Sequence, residues 1–321
     1  MTRAPAMAIV MLAATAAAAA PAPESIDVDR DDAPPGRGEL GFDGGGPVGD
    51  YAVAVSLGYL DRPIALRDDT GIAITPVATR ETLGLGGALA LGDNTLADLH
   101  VGFAHQRGDR FVGLGDDRPL DAWVPLDARL GVRLRVMAFT HISMFLRGEL
   151  TVPLGDEHDF AGDAGWTGAW HFIARMPLPA GVIVAASVGI RLRGSEVMIA
   201  DRRVGNETLA ALGVVVPLPA LRPLWSGDQL ALTGELVKIA GDQGDGTRGP
   251  SPAEARVGVV SRPYPWLEVA ARAGAGLNDE IGAPRWRVGL AVSWRMPAAP
   301  PSLRPPPPPP PADDDESSVD D

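Results

Sequence analysis

Residues 123 to 137 read Trp-Val-Pro-Leu-Asp-Ala-Arg-Leu-Gly-Val-Arg-Leu-Arg-Val-Met, and their alternation decides the fold class. Successive side chains of an extended chain point to opposite faces. Val124, Leu126, Ala128, Leu130, Val132, Leu134 and Val136 therefore share one face, and Asp127, Arg129, Arg133 and Arg135 the other. One face must be dry and the other wet. A soluble sheet could carry such a strand once, but the pattern recurs in about twelve segments between Tyr51 and Arg295. The architecture that gives every strand a lipid side and a polar side is an all-β, transmembrane, antiparallel up-and-down β-barrel, here of about twelve strands over residues 50–296.

The candidate strands begin with Val53, Val55, Leu57 and Tyr59 alternating with Ala52, Ala54, Ser56 and Gly58. Further ones run near residues 83–91, 96–105, 123–137, 143–152, 169–177, 182–193, 207–216, 229–238, 253–261, 266–274 and 285–295. Spans of about 9 to 11 residues are what a tilted crossing of the bilayer core requires. The links alternate in length. Residues 61–82, 106–122, 153–168, 194–206, 239–252 and 275–284 form long links; 92–95, 138–142, 178–181 and 262–265 form short ones, and 217–228 is the exception. Long outer loops and short periplasmic turns are the barrel rule, and an even strand count puts both ends on the periplasmic side.

The flanks have their own character. Residues 1–22 carry Arg3 and then an apolar, alanine-rich run, which reads as a cleaved secretory signal. Residues 23–49 are rich in Pro, Gly and Asp and read as a flexible periplasmic lead-in. Residues 297–321 pass through seven consecutive prolines at 305–311 into an acidic end, a disordered spacer whose partner is unknown. With no cysteine there is no lipoprotein attachment site, disulfide or thiolate metal site. The net charge of −13 speaks against nucleic acid as a partner, since phosphates call for a basic surface. The acids lie mainly in the connections and the tail, while arginines concentrate on the polar faces of the strands.

In the last candidate strand Trp286, Val288, Leu290, Val292 and Trp294 oppose Arg285, Arg287, Gly289, Ser293 and Arg295. Its two tryptophans fall near opposite interfaces. Arg287, Gly289, Val292 and Trp294 match the pattern of an outer-membrane sorting signal: polar, any, Gly, two of any, hydrophobic, any, hydrophobic or aromatic. The signal run, the opening Asp50-Tyr51 strand, the passage Leu150-Thr-Val-Pro-Leu-Gly-Asp-Glu-His-Asp-Phe-Ala-Gly-Asp163 and the proline-rich linker resemble the N-terminal half of large outer-membrane protein A-like proteins, over about residues 40–312. In that family a barrel anchors the chain in the outer membrane and a periplasmic domain after the linker grips peptidoglycan. The sequence ends at Asp321 without such a domain, so the resemblance implies only the barrel part of the role. The implied location is the cell outer membrane. The expected partners are its lipid, the barrel-assembly machinery during insertion, and small solutes.

The polar faces supply the candidate lumen: Arg129, Arg133, Arg135, Arg147, Glu149, His171, Arg175, Arg191, Glu235, Glu254, Arg256, Glu268, Arg272, Arg285 and Arg287. Cations outnumber anions, and two readings stay open: a passive channel favouring anionic solutes, or a lumen filled by interleaved Arg and Glu pairs. No catalytic site is assigned. His141 and Ser143 sit two apart near a turn, and His158 is flanked by Asp156 and Asp159, but neither specifies a nucleophile with base, orienter and oxyanion site. The loops at 156–159 and 241–246 offer oxygen ligands without EF-hand spacing and read as solvated acidic loops. No cofactor motif is present: Gly84, Gly86 and Gly87 lie within a strand, not before a helix. The alternative to a membrane barrel is a soluble secreted or periplasmic β-barrel or sandwich binding a lipid or other ligand. An arginine-rich polar face argues against a lipid-carrying interior.

Overall fold

In the computed structural model the described residues are 51–67, 73–92, 94–109, 119–155, 159–163, 165–199, 202–218, 229–241, 249–264 and 266–296. The expected signal (1–22), lead-in (23–49) and tail (297–321) lie outside them. The strands are β1 (Tyr51–Arg67), β2 (Ala73–Gly92), β3 (Thr95–Gly108), β4 (Leu120–Ala138), β5 (Ser143–Val152), β6 (Thr167–Pro177), β7 (Ile183–Arg193), β8 (Val197–Ile199), β9 (Arg202–Val204), β10 (Glu207–Pro217), β11 (Gln229–Gly241), β12 (Ala253–Tyr264), β13 (Leu267–Gly276) and β14 (Trp286–Met296). All but β8 and β9 form one closed barrel, each strand antiparallel to its sequence neighbours and β14 paired back onto β1 from Tyr51↔Met296 to Asp61↔Trp286. The short β8–β9 pair sits apart in the β7–β10 connection. The barrel has twelve strands, as the alternation predicts, and closure leaves no edge whose backbone would need water.

The outer surface is a wall of aliphatic side chains. Leu57, Leu83, Leu99, Leu130, Val132, Leu150, Phe172, Val188, Ile190, Leu212, Leu236, Val257 and Leu290 are all exposed. Their strand neighbours Arg133, Arg147, Glu149, Arg191, Glu235 and Arg256 are buried. This is the inverse of a soluble protein, where such leucines would form the core. Tyr59 stacks on Trp286 at 4.9 Å near one end of the wall, and Tyr264 stacks on Trp266 at 5.2 Å at the other. Trp286 and Trp294 are eight positions apart on β14, about 26 Å along a strand, which tilt shortens to roughly 20 Å of bilayer depth.

Two expectations about the elements are corrected. The segment 61–82 reads in the sequence as a long link, but β1 continues to Arg67 and β2 starts at Ala73, past irregularities between Asp61 and Ile64 and between Ile64 and Leu66. Likewise β3 reaches Gly108 and β4 begins at Leu120, so much of the link at 106–122 is strand. β1 to β4 thus project beyond the rest of the barrel at the end carrying the long loops. Alternation imposed by lipid stops where the bilayer stops, so nothing in the hydrophobic pattern marks these extensions.

The second correction lies in β4 itself. Its pairing with β3 runs Leu99↔Leu130 and His100↔Arg129, then resumes at Gly102↔Leu126, so β4 advances three residues where β3 advances two. The extra residue is a β-bulge, and it reverses the faces. Below it Leu130, Val132, Leu134 and Val136 look outward as expected; above it Trp123 and Pro125 are exposed, while Val124 and Leu126 are buried against Ala104 and Ala161. Pro125 lacks a backbone N–H, which suits it to the neighbourhood of an interrupted ladder.

Candidate functional site

Asp127 sits at the bulge and faces the lumen, where its side chain is almost fully enclosed. Its Oδ1 accepts hydrogen bonds from the backbone N–H groups of Leu154 (3.0 Å) and Gly155 (2.9 Å), and Oδ2 accepts one from Asp163 (2.8 Å). One carboxylate therefore ties down both arms of the β5–β6 loop and holds it inside the barrel. Gly162 is required at this crossing: a Cβ there would lie 2.5 Å from Asp127 Oδ1 and 2.8 Å from Gly155 Cα.

The tip of the loop is held from the neighbouring strands β2 and β3. Arg80 donates through Nη2 to the Phe160 carbonyl and through Nε to Gln106 Oε1 at 2.8 Å, and Gln106 donates onward to the Asp159 carbonyl. Phe160 adopts a left-handed φ of 57°, a conformation costing about 1–3 kcal/mol in a residue other than glycine. It offsets this by burying its ring with Ile64 and Val77 of the projecting strands, Val204 of β9 and Ile281 of the β13–β14 loop. Three loops and two strands thus meet in a small apolar cluster that caps the loop end of the lumen.

Below the cap the interior is charged and paired. Asp163 accepts from Arg193, which also reaches Glu207 at 3.2 Å, and Arg191 approaches Glu207 at 3.3 Å. Arg147 grips Asp98 with two bonds of 3.0 Å and donates to Glu149 at 2.9 Å. The Asp98–Arg147 pair spans two strands, crossing β4 at Gly131, where a Cβ would come 2.6 Å from Asp98 Oδ1 and 2.8 Å from Arg147 Nη2. The same device recurs across β13. Glu254 of β12 meets Arg287 of β14 at 2.6 Å over Gly274, whose Cβ would lie 2.8 Å from Glu254 Oε1, and Arg256 joins the same carboxylate at 3.0 Å. Arg133 lies over the Phe145 ring at 5.5 Å, and Arg262 pairs with Glu268 at 2.8 Å.

Beside this filling, between β1–β4 and β12–β14, a cavity of about 100 Å³ remains. Arg129, Arg256, Arg272 and Arg287 line it with Ser56 and His100; Asp127, already accepting three hydrogen bonds, is the acid on its wall.

Of the residues predicted to line the lumen, Arg133, Arg147, Glu149, Arg191, Glu235, Glu254, Arg256 and Glu268 are buried within the barrel. Arg129, His171, Arg175, Arg272 and Arg287 occupy inward positions with partial exposure. Arg135 stands at the rim, donating through Nε to Asn94 of the β2–β3 turn at 2.8 Å. Arg285 does not line the lumen: it precedes β14, is 64% exposed and lies 3.9 Å from Asp61, because the barrel wall ends before its position. Arg287, Gly289, Val292 and Trp294 all fall within β14. His141 is exposed in the β4–β5 turn and Ser143 opens β5, while residues 156–158 and 242–246 lie outside the described set. Sequence reasoning passed over Arg80, Asp98, Asp163, Arg193 and Glu207 as site residues and gave Asp127 no special role. An acid on the wet face two residues after a mid-strand proline was the available signal for Asp127.

Fold and interior together define the class, a transmembrane β-barrel of the outer-membrane type with a largely filled lumen. Two solved structures share the architecture. The COG4313 outer membrane channel from Pseudomonas putida F1 superposes with a TM-score of 0.56 at 18% identity, over 79% of this chain and 98% of that one. The NanC porin does so with a TM-score of 0.52 at 7% identity, over 76% and 100% of the respective chains. No protein-family model matches the sequence, and comparison with curated proteins finds no relative.

Proposed function

We propose that this protein is an outer-membrane channel with a narrow lumen that passes small, preferentially anionic solutes, its loops outside the cell and its turns in the periplasm. The observation that carries the reading is the charge of the remaining cavity wall: four arginines, two of them sharing Glu254, and one lining acid whose oxygens are engaged by loop backbone. Fixed guanidinium groups in a tight, low-dielectric conduit attract anions and repel cations. That two proteins with the same architecture are described as an outer membrane channel and a porin supports the class of function. The resemblance to outer-membrane protein A-like barrels supports the same location. On this reading Arg287, Gly289, Val292 and Trp294 are the sorting signal met by the assembly machinery, residues 1–22 direct export, and the proline-rich tail extends into the periplasm.

A purified sample in planar bilayers under a KCl gradient should show small, steady conductance with a reversal potential on the anion side. Silence at every voltage would favour the second reading, a structural barrel, which the Asp98–Arg147–Glu149 and Glu207–Arg193–Asp163 groups and the apolar cap support.

A further inference from the structure

Among the described residues a hollow remains beside Arg129, Arg256, Arg272 and Arg287, and small residues keep it open. Gly58 and Gly84 form part of its wall. A Cβ at Gly84 would lie 2.7 Å from His100 Nε2 and press on Ser56 Oγ, and one at Gly58 would press on Thr82 Oγ1. Small residues here admit polar side chains that point at the same space. The space is roomy enough for several ordered waters or for a small oxyanion such as a phosphate or a short carboxylate. Planar guanidinium forks match such oxyanions with paired hydrogen bonds, which a spherical chloride cannot use. Two of the arginines, Arg256 and Arg287, share the Glu254 carboxylate, which fixes their orientation.

We propose that this cavity is a saturable binding site for a small oxyanion, a phosphate or short carboxylate, gripped by Arg129, Arg256, Arg272 and Arg287 and flanked by His100 and Ser56. The proposal deepens the anion-channel reading and rests on it for the route by which the solute arrives; the binding itself is separately measurable. Calorimetry on the full chain folded in detergent, with sodium phosphate and sodium succinate titrated at constant ionic strength in chloride, should give one-site saturable binding of at least one of the two. The same anion should block chloride current in planar bilayers over the same concentration range. Arg272→Gln should weaken binding about tenfold or more, and Gly84→Ala should weaken it by driving His100 into the cavity. Each variant is first checked for a heat-sensitive shift in gel mobility that marks a closed barrel.

Folded, conducting protein that binds neither anion would overturn the site and leave the channel standing. Saturable binding in a protein that never conducts would keep the site and overturn the channel. Binding untouched by both substitutions would place the anion elsewhere and sink the proposal.

Discussion

Asp127 shapes the lumen by holding the infolded β5–β6 loop in place. Three backbone donors converge on its two oxygens, and a carboxylate is the side chain that offers only acceptors to all of them. In Asp127→Asn one oxygen becomes an amide that points hydrogens at other hydrogens. Each buried donor left unmet costs about 1–3 kcal/mol. Amides of Leu154, Gly155 and Asp163 should then exchange roughly ten to a hundred times faster while barrel amides keep their protection, and mean conductance should rise. Unchanged exchange at those three would show that the loop stays in place without the carboxylate. A second acid, Asp109 at the loop-end rim, accepts from the Thr75 hydroxyl (2.6 Å) and the Thr75 N–H (2.9 Å), which hold its carboxyl below the usual carboxylate range. A depressed carboxylate stabilises above its unfolded value, near about 3.9, and that contribution is lost as pH falls through the folded value. The clasp should therefore be fully present at neutral pH and open only in stronger acid. In Thr75→Val the Asp109 carbon resonance should titrate at higher pH than in the parent; an unchanged midpoint would contradict the assignment.

The elements carry a lesson about what alternation can and cannot reveal. Strand positions and strand number were legible because lipid outside and charge inside force a period of two. The face reversal in β4 was not. Val124 and Leu126 are apolar because the infolded loop covers them, Leu130 and Val132 because lipid does, and a pattern of apolar residues cannot say which partner it serves. The arginines announced the wet face, and Glu149 and Glu254 stand two residues from Arg147 and Arg256, but Asp98 and Arg287 reach their partners over Gly131 and Gly274 from two strands away, which no spacing within one segment could reveal. That bridging device gives a prediction at this scale. In Gly131→Ala the new methyl would intrude on both Asp98 and Arg147, and overpacking of this kind costs about 1–3 kcal/mol. Urea unfolding of vesicle-embedded protein should show the loss, whereas Gly168→Ala, where a Cβ meets nothing within 4 Å, should be close to neutral.

For the whole molecule the decisive property is the inversion of surface and interior. Such a barrel should need detergent or bilayer to stay dispersed, and its unboiled form should migrate apart from the boiled one. A compact monomer in plain buffer would overturn the membrane assignment. The cap makes a further prediction. Phe160 joins contributions from β1, β2, β9 and the β13–β14 loop, so Phe160→Ala should loosen the mouth and not the wall. Open-channel conductance should increase severalfold with the boiling shift intact; loss of both would mean that the cluster supports the barrel itself.

The seam between β1 and β14 joins residues at opposite extremes of the barrel sequence, from Tyr51↔Met296 to Asp61↔Trp286. Until Met296 has emerged, the half-made cylinder carries two raw margins of unpaired peptide, each able to recruit a neighbour's. Synthesis therefore cannot be rewarded in instalments: a polypeptide lacking the β13–β14 hairpin would be an aggregation hazard rather than a smaller pore, and the eleven residues of β14 decide the fate of all the strands made before them.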